Sequence, residues 1–126
     1  MRIYLRGELG SGKTTLVRGL LRALGVQSSV RSPSYSLVEP YVVSRLHLYH
    51  FDFYRFNDPG ELRDAGLAEH FRGDGVCLVE WPERAGGQLP PPDLEIALSY
   101  SGTARTANIA AVTDTGVRCL GRLRED

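Results

Sequence analysis

Lysine is almost missing from this sequence: fourteen of the fifteen basic residues are arginine, and the one lysine is Lys13. It stands inside a glycine-rich loop, where a compact ammonium can reach between phosphates that the broad planar fork of arginine fits poorly. Cysteine is scarce as well. Cys77 and Cys119 have no CxxC or other ligand spacing, and Cys77 lies in an apolar run, so both read as buried reduced thiols rather than a disulfide or a zinc site. No apolar run approaches the roughly 20 residues needed to cross a bilayer, and Met1 to Tyr4 lacks the regions of a signal peptide, which leads us to expect a cytoplasmic protein. Neither sign of charge is in excess. Fifteen basic residues balance fifteen acidic ones and are scattered along the chain, so there is no electrostatic footprint for direct nucleic-acid binding. Repeats, low-complexity segments and internal linkers are absent too, and 126 residues with 42% apolar content suit one domain over 1–126.

What is present reads as alternating strands and helices. RIYLR (Arg2 to Arg6) is a short apolar strand ended by Gly7. From Gly12 to Leu24 apolar residues recur at Leu16, Val17, Leu20, Leu21 and Leu24, a helical spacing, with Gly25 as C-terminal cap. Gln27 to Ser34 is a polar loop, and SLVEPYVV and RLHLYHFDFY read as paired strands. Asp58 is placed as N-cap, Pro59 at the first position and Glu61 in a capping box, predicting a helix that ends near Phe71. GVCLVEW (Gly75 to Trp81) is a continuous apolar strand of the kind buried on both faces, and Pro90 to Pro92 marks a connection. LEIALSY, TANIAAV and GVRCLGRL are then expected as three strands in antiparallel style.

The chemistry lies first in GELGSGKT, which matches G-x-x-x-x-G-K-[ST] between a strand and a helix. Gly10, Ser11 and Gly12 let backbone N–H groups face phosphates, Lys13 bridges the outer phosphates, the Thr14 hydroxyl binds Mg²⁺, and Thr15 continues the cradle into the helix. Such a site needs a carboxylate at the end of a neighbouring strand to hold the metal or polarise water, and Asp52 and Glu80 are both placed for it. Ser32, Pro33, Ser34 and Tyr35 fall where many such proteins keep a loop that senses the γ-phosphate, although Ser and Pro are also ordinary loop residues. His47, His50 and His70 show no ligand spacing and default to structural or surface histidines, and the Tyr and Phe residues between Tyr49 and Phe56 read as sheet core. No N-K-x-D occurs, no D-x-x-G follows Asp52, and no arginine-rich lid segment is present. GTPases and nucleotide kinases are thereby disfavoured, and an ATPase remains.

Taken in order, GELGSGKTT, SPSYSLVEPY, YHFDFYR and LVEWPE resemble the TsaE (YjeE) family over Tyr4 to about Glu95. The resemblance implies an α/β P-loop fold with a mixed parallel and antiparallel sheet flanked by helices, and ATP and Mg²⁺ as cofactors. It also implies slow hydrolysis in support of the TsaB and TsaD proteins, which form threonylcarbamoyladenosine beside the anticodon of tRNA. By the same resemblance Lys13 would contact the β and γ phosphates, Thr14 and Glu80 would hold Mg²⁺, Asp52 would position or activate water, Trp81 would pack beside the metal ligand, and Ser32 to Tyr35 would form the switch-like loop. The family usually reads Ser-Pro-Thr where this chain has Ser34, and carries a strand and a helix ahead of the P-loop strand with which this sequence starts. Without them a sheet edge and part of the adenine pocket would be open. A small-molecule kinase, or a nucleotide-dependent protein-binding module without significant turnover, are the alternatives.

Overall fold

The computed structural model describes residues 1–30, 33, 38–55 and 68–125, with side chains through residue 122. Its elements run β1 (Arg2–Arg6), α1 (Lys13–Ala23), β2 (Val38–Val43), β3 (Leu46–Asp52), α2 (Ala68–Arg72), β4 (Val76–Glu80), a 3₁₀ turn (Pro82–Ala85), β5 (Leu94–Ser101), β6 (Ala104–Ala111) and α3 (Asp114–Glu125). The strands form one six-stranded sheet in the order β2-β3-β4-β1-β5-β6. β3, β4, β1 and β5 are parallel, while β2 and β6 pair antiparallel at the two edges. Pro40, which has no N–H for a ladder, is tolerated because β2 is an edge strand.

The sheet has an apolar cluster on each face, which is why its inner strands are apolar at successive positions rather than at alternate ones. Leu5, Leu48 and Leu78 face α1, where they meet Val17 and Leu21. Their chain neighbours Tyr4 and Val79 turn the other way, toward Phe51, Phe53 and Phe71. α1 closes as the sequence predicts. Gly25, at φ +107, lets its own N–H reach the Arg22 carbonyl and the Val26 N–H reach that of Leu21, a pair of bonds that closes the helix behind its last residue, Ala23. Cys77 and Cys119 are free, Cys77 buried with its thiol pushed up to about 11 by burial and Cys119 half-buried.

The predicted helix that ends near Phe71 is present as α2, and its expected start at Asp58, Pro59 and Glu61 lies outside the described residues. GVRCLGRL, expected as a strand, is instead part of α3. The overlooked signal is an N-cap: Thr113 Oγ1 accepts the Gly116 N–H at 3.2 Å, and the Val117 N–H bonds the Thr113 carbonyl at 2.9 Å. Glycines in this segment argue against a helix, yet Gly116 is there for contact. A Cβ at that position would fall 1.9 Å from the Asp93 carbonyl oxygen. Asp93 is the junction of this corner, accepting the Arg2 N–H at 2.7 Å and the Thr113 hydroxyl at 2.6 Å. Burial works against its charge, but these two hydrogen bonds and the charges of Arg2 and the N-terminus outweigh it and hold the carboxyl below the usual carboxylate range.

Two glycines of α3 should therefore respond with opposite signs. Gly116→Ala forces α3 off Asp93 and should lower stability by about 1–3 kcal/mol. Gly121→Ala meets nothing within 4 Å and should raise it by about 0.5–1 kcal/mol. Urea unfolding followed by circular dichroism measures both, and equal effects would mean that the Asp93 contact does not constrain the helix.

Candidate functional site

The carboxyl ends of the parallel strands β1, β3 and β4 lie side by side, and the loop from Gly7 to Gly12 passes over them into α1. A Cβ on Gly7 would fall 2.6 Å from Ser11 Oγ and 2.7 Å from the Leu98 carbonyl oxygen, so only glycine lets the loop run this close to β5. Gly12, at φ +106, is the N-cap of α1 and offers no side-chain cap, and no acidic residue stands in the first turn. The N–H groups and the positive dipole end there consequently receive no side-chain cap and no acidic residue from the helix itself. Ser11 Oγ is buried with no hydrogen-bond partner among the described residues. Unsatisfied donors of this kind suit a bound anion such as a phosphate group.

The cleft beside this helix end measures about 230 Å³. Lys13 is buried at its edge, its ammonium donating to the carbonyls of Gly7 and, at 3.3 Å, Glu8, and lying 3.9 Å from the centre of the Trp81 ring. Burial pulls the lysine pKa down, against the opposing pull of Glu80, Glu83 and Asp52. Its partners in this state are dipoles and a ring face, so an incoming phosphate would supply the full negative charge that they lack. Trp81 itself holds a left-handed backbone, φ +56, a conformation that non-glycine residues keep where the surroundings impose it, often at functional sites.

Across the cleft the parallel register sets Asp52 opposite Glu80. Glu80 is only 2% exposed; the Thr14 hydroxyl donates to its carboxylate, 3.0 Å from Oε1 and 3.1 Å from Oε2, and His50 Nε2 lies 2.6 Å from Oε2. Asp52 Oδ1 accepts the Tyr54 N–H at 3.0 Å. Burial raises the Asp52 pKa above the usual carboxylate value and Glu80 adds to the rise, while the Tyr54 hydrogen bond, His50 and Lys13 oppose it. A half-buried carboxylate with a raised pKa is a stronger proton acceptor than one in water, which suits it to take a proton from a nearby water. Thr14 and Glu80 present hard oxygens side by side. No group of three or more His, Cys, Asp or Glu among the described residues could cage a metal. That pattern fits Mg²⁺, which takes one or two protein oxygens and completes its shell with phosphate and water.

Gly10, Gly12, Lys13, Thr14, Thr15, Asp52, Glu80 and Trp81 thus line one cleft, and Ser11 lies buried in the loop. Ser32, Ser34 and Tyr35 fall outside the described residues. Phe51 and Phe53 are core, as expected, but Tyr54 is not: it lines the cleft, with its ring 5.1 Å from that of Trp81. His50, read as a default structural histidine, is the other residue that the sequence did not single out.

Strand, glycine loop and uncapped helix, with carboxylates ending two neighbouring parallel strands, define a P-loop NTPase fold. The family model for the threonylcarbamoyl adenosine biosynthesis protein TsaE matches residues 1–108. The tRNA threonylcarbamoyladenosine biosynthesis protein TsaE of Haemophilus influenzae is 45% identical over 114 residues, covering 90% of this chain and 72% of that protein. Its namesake in Bacillus subtilis is 44% identical over 100 residues, 79% of this chain and 62% of that protein. A crystal structure of YdiB from Bacillus subtilis superposes with a TM-score of 0.82 at 34% identity, covering 98% of this chain and 76% of that one. The chain belongs to the TsaE family. Among the described residues no helix is long and apolar enough to cross a membrane.

The Asp52 environment has a thermodynamic signature. Its folded pKa is raised, so folding is favoured below the unfolded value and this advantage is lost as pH rises through the folded value. Asp52→Asn should therefore raise the unfolding midpoint near neutral pH, with the gain disappearing below the ordinary carboxylate range. A midpoint that falls near neutral pH would place the charged carboxylate among the stabilising groups instead.

Proposed function

We propose that this chain is a Mg²⁺-dependent ATPase that supports the TsaB and TsaD proteins in threonylcarbamoyladenosine modification of tRNA next to the anticodon. The observation that carries the chemistry is the meeting of an uncapped, lysine-bearing loop with the Asp52 and Glu80 carboxylates at the carboxyl ends of the parallel strands. The pathway comes from the names of the relatives, and TsaB and TsaD from the family resemblance. The chain spans 72% and 62% of the first two relatives, so the activity of the whole proteins is carried over here as a proposal.

In this mechanism the loop N–H groups and Lys13 hold the β and γ phosphates of ATP, and Thr14 and Glu80 hold Mg²⁺. The bound cation supplies neutralisation of charge on the phosphate oxygens. Asp52 accepts a hydrogen bond from the attacking water and takes its proton as the oxygen bonds to the γ-phosphorus and the bond to the ADP oxygen breaks. Trp81 shields the site from bulk water and gives up the Lys13 ammonium when phosphate enters. Preorganised donors then act on developing charge in a partly dry cleft, where they are worth more than in water.

Phosphate release from ATP with Mg²⁺, by the chain alone and then with TsaB and TsaD added, tests the proposal, and a low rate that rises strongly with the pair is expected. Tight ATP binding with no release even with the pair would indicate a binding module, and a phosphorylated metabolite in a screen would indicate a kinase. Lys13→Ala should abolish productive nucleotide binding. Asp52→Asn should keep nucleotide binding and lose about 10²-fold or more in turnover; full turnover in that variant would remove Asp52 from the proton transfer.

A further inference from the structure

His50 has no place in the chemistry above, yet it is fully buried and its ring touches the site. β3 and β4 pair His50 with Leu78, one step below the Asp52–Glu80 pair on the same face of the sheet. The neighbours on that face, Leu48 and Leu78, belong to the apolar cluster under α1, and a leucine-like side chain would continue it. Instead the imidazole reaches up to Glu80, with Nε2 2.6 Å from Oε2. Its other nitrogen, Nδ1, is buried with no hydrogen-bond partner among the described residues. A buried polar nitrogen with no partner is a burden on stability, so the ring is poorly explained as a means of holding the fold together.

The geometry around Glu80 explains it better. A glutamate carboxylate rotates about its last side-chain bond, a broad and soft torsion. Here the Thr14 hydroxyl, 3.0 and 3.1 Å from the two oxygens, approaches from the loop side, and His50 meets Oε2 from the sheet side. Two anchors on different elements define the carboxylate plane where one would leave it free to turn.

We propose that His50 is a positioning residue: its Nε2–H fixes the Glu80 carboxylate facing Thr14 and so sets the affinity of the site for Mg²⁺. The inference rests on the reading of Thr14 and Glu80 as the magnesium oxygens. With Glu80 as acceptor, the 2.6 Å contact requires a proton on Nε2. Groups that orient metal ligands in this way typically matter by about 10–100-fold in metal affinity.

The substitutions His50→Gln and His50→Asn separate orientation from mere polarity, because both bring an amide but only glutamine places an N–H near the Nε2 position. Nucleotide binding is titrated with Mg²⁺ in both, in His50→Leu and in Glu80→Ala. Asn and Leu should raise the Mg²⁺ concentration needed for half-maximal binding by about 10-fold or more, Gln should bring most of it back, and binding without Mg²⁺ should stay unchanged. Equal Mg²⁺ dependence in wild type, Gln and Asn, while Glu80→Ala shifts it, would overturn the role of His50 alone. No shift in Glu80→Ala would overturn the metal reading itself. A second measurement needs neither variant nor metal. The ¹⁵N shifts of the His50 ring in the wild-type protein should report a proton on Nε2, and an Nε2 without one would overturn the proposal even if a substituted protein failed to fold.

Discussion

The register of four parallel strands is the constraint from which the rest of this molecule follows. β4 sets Glu80 beside Asp52 on one neighbour and beside Leu5, two residues before the glycine loop, on the other. Side chains alternate faces along a strand, so a slip of one residue would turn Glu80 into the cluster of Phe51 and Phe71 and bring an apolar residue to the cleft. The two apolar faces prevent that slip. Leu78 must face α1 and Val79 must face Phe51, and Glu80 is carried to the helix end as a result. Core packing and site geometry are thus a single requirement, met by consecutive residues of one strand.

Charge in the cleft is arranged against burial rather than with it. Lys13 and Asp52 are each pushed toward their neutral forms by loss of water, and each is drawn part of the way back by the other. The Lys13 ammonium rests on carbonyls and an indole face, Asp52 accepts a backbone N–H from Tyr54, and the first turn of α1 has no side-chain cap. The first-turn N–H groups are thus open to an anion, whereas Lys13 must exchange its carbonyls and the indole face for it.

Local signals made β1, the loop, α1 and β4 legible, because glycines at forced turns and apolar runs report on backbone needs that neighbours in sequence decide. α3 was not legible. Gly116 is a glycine because of Asp93, twenty-three positions earlier in the chain, and a contact of that kind leaves no trace in a local pattern. The same distinction holds in the site. Lys13 and Thr14 belong to a contiguous motif, and Asp52 and Glu80 end recognisable strands, so all four could be named. Their arrangement needed the strand order, and a lone histidine looks the same in sequence whether it faces solvent or, as His50 does, a buried carboxylate.

The single lysine has one more consequence. An endopeptidase that cuts only after lysine finds just one bond in the chain, between Lys13 and Thr14, and that bond lies in the first turn of α1 with the lysine buried against the loop. Cutting there demands that the phosphate cradle come apart locally, whatever the remainder of the sheet is doing. The chain therefore carries a built-in scissile gauge: its rate of cleavage reads how often the cradle opens, free of any contribution from loops or ends elsewhere.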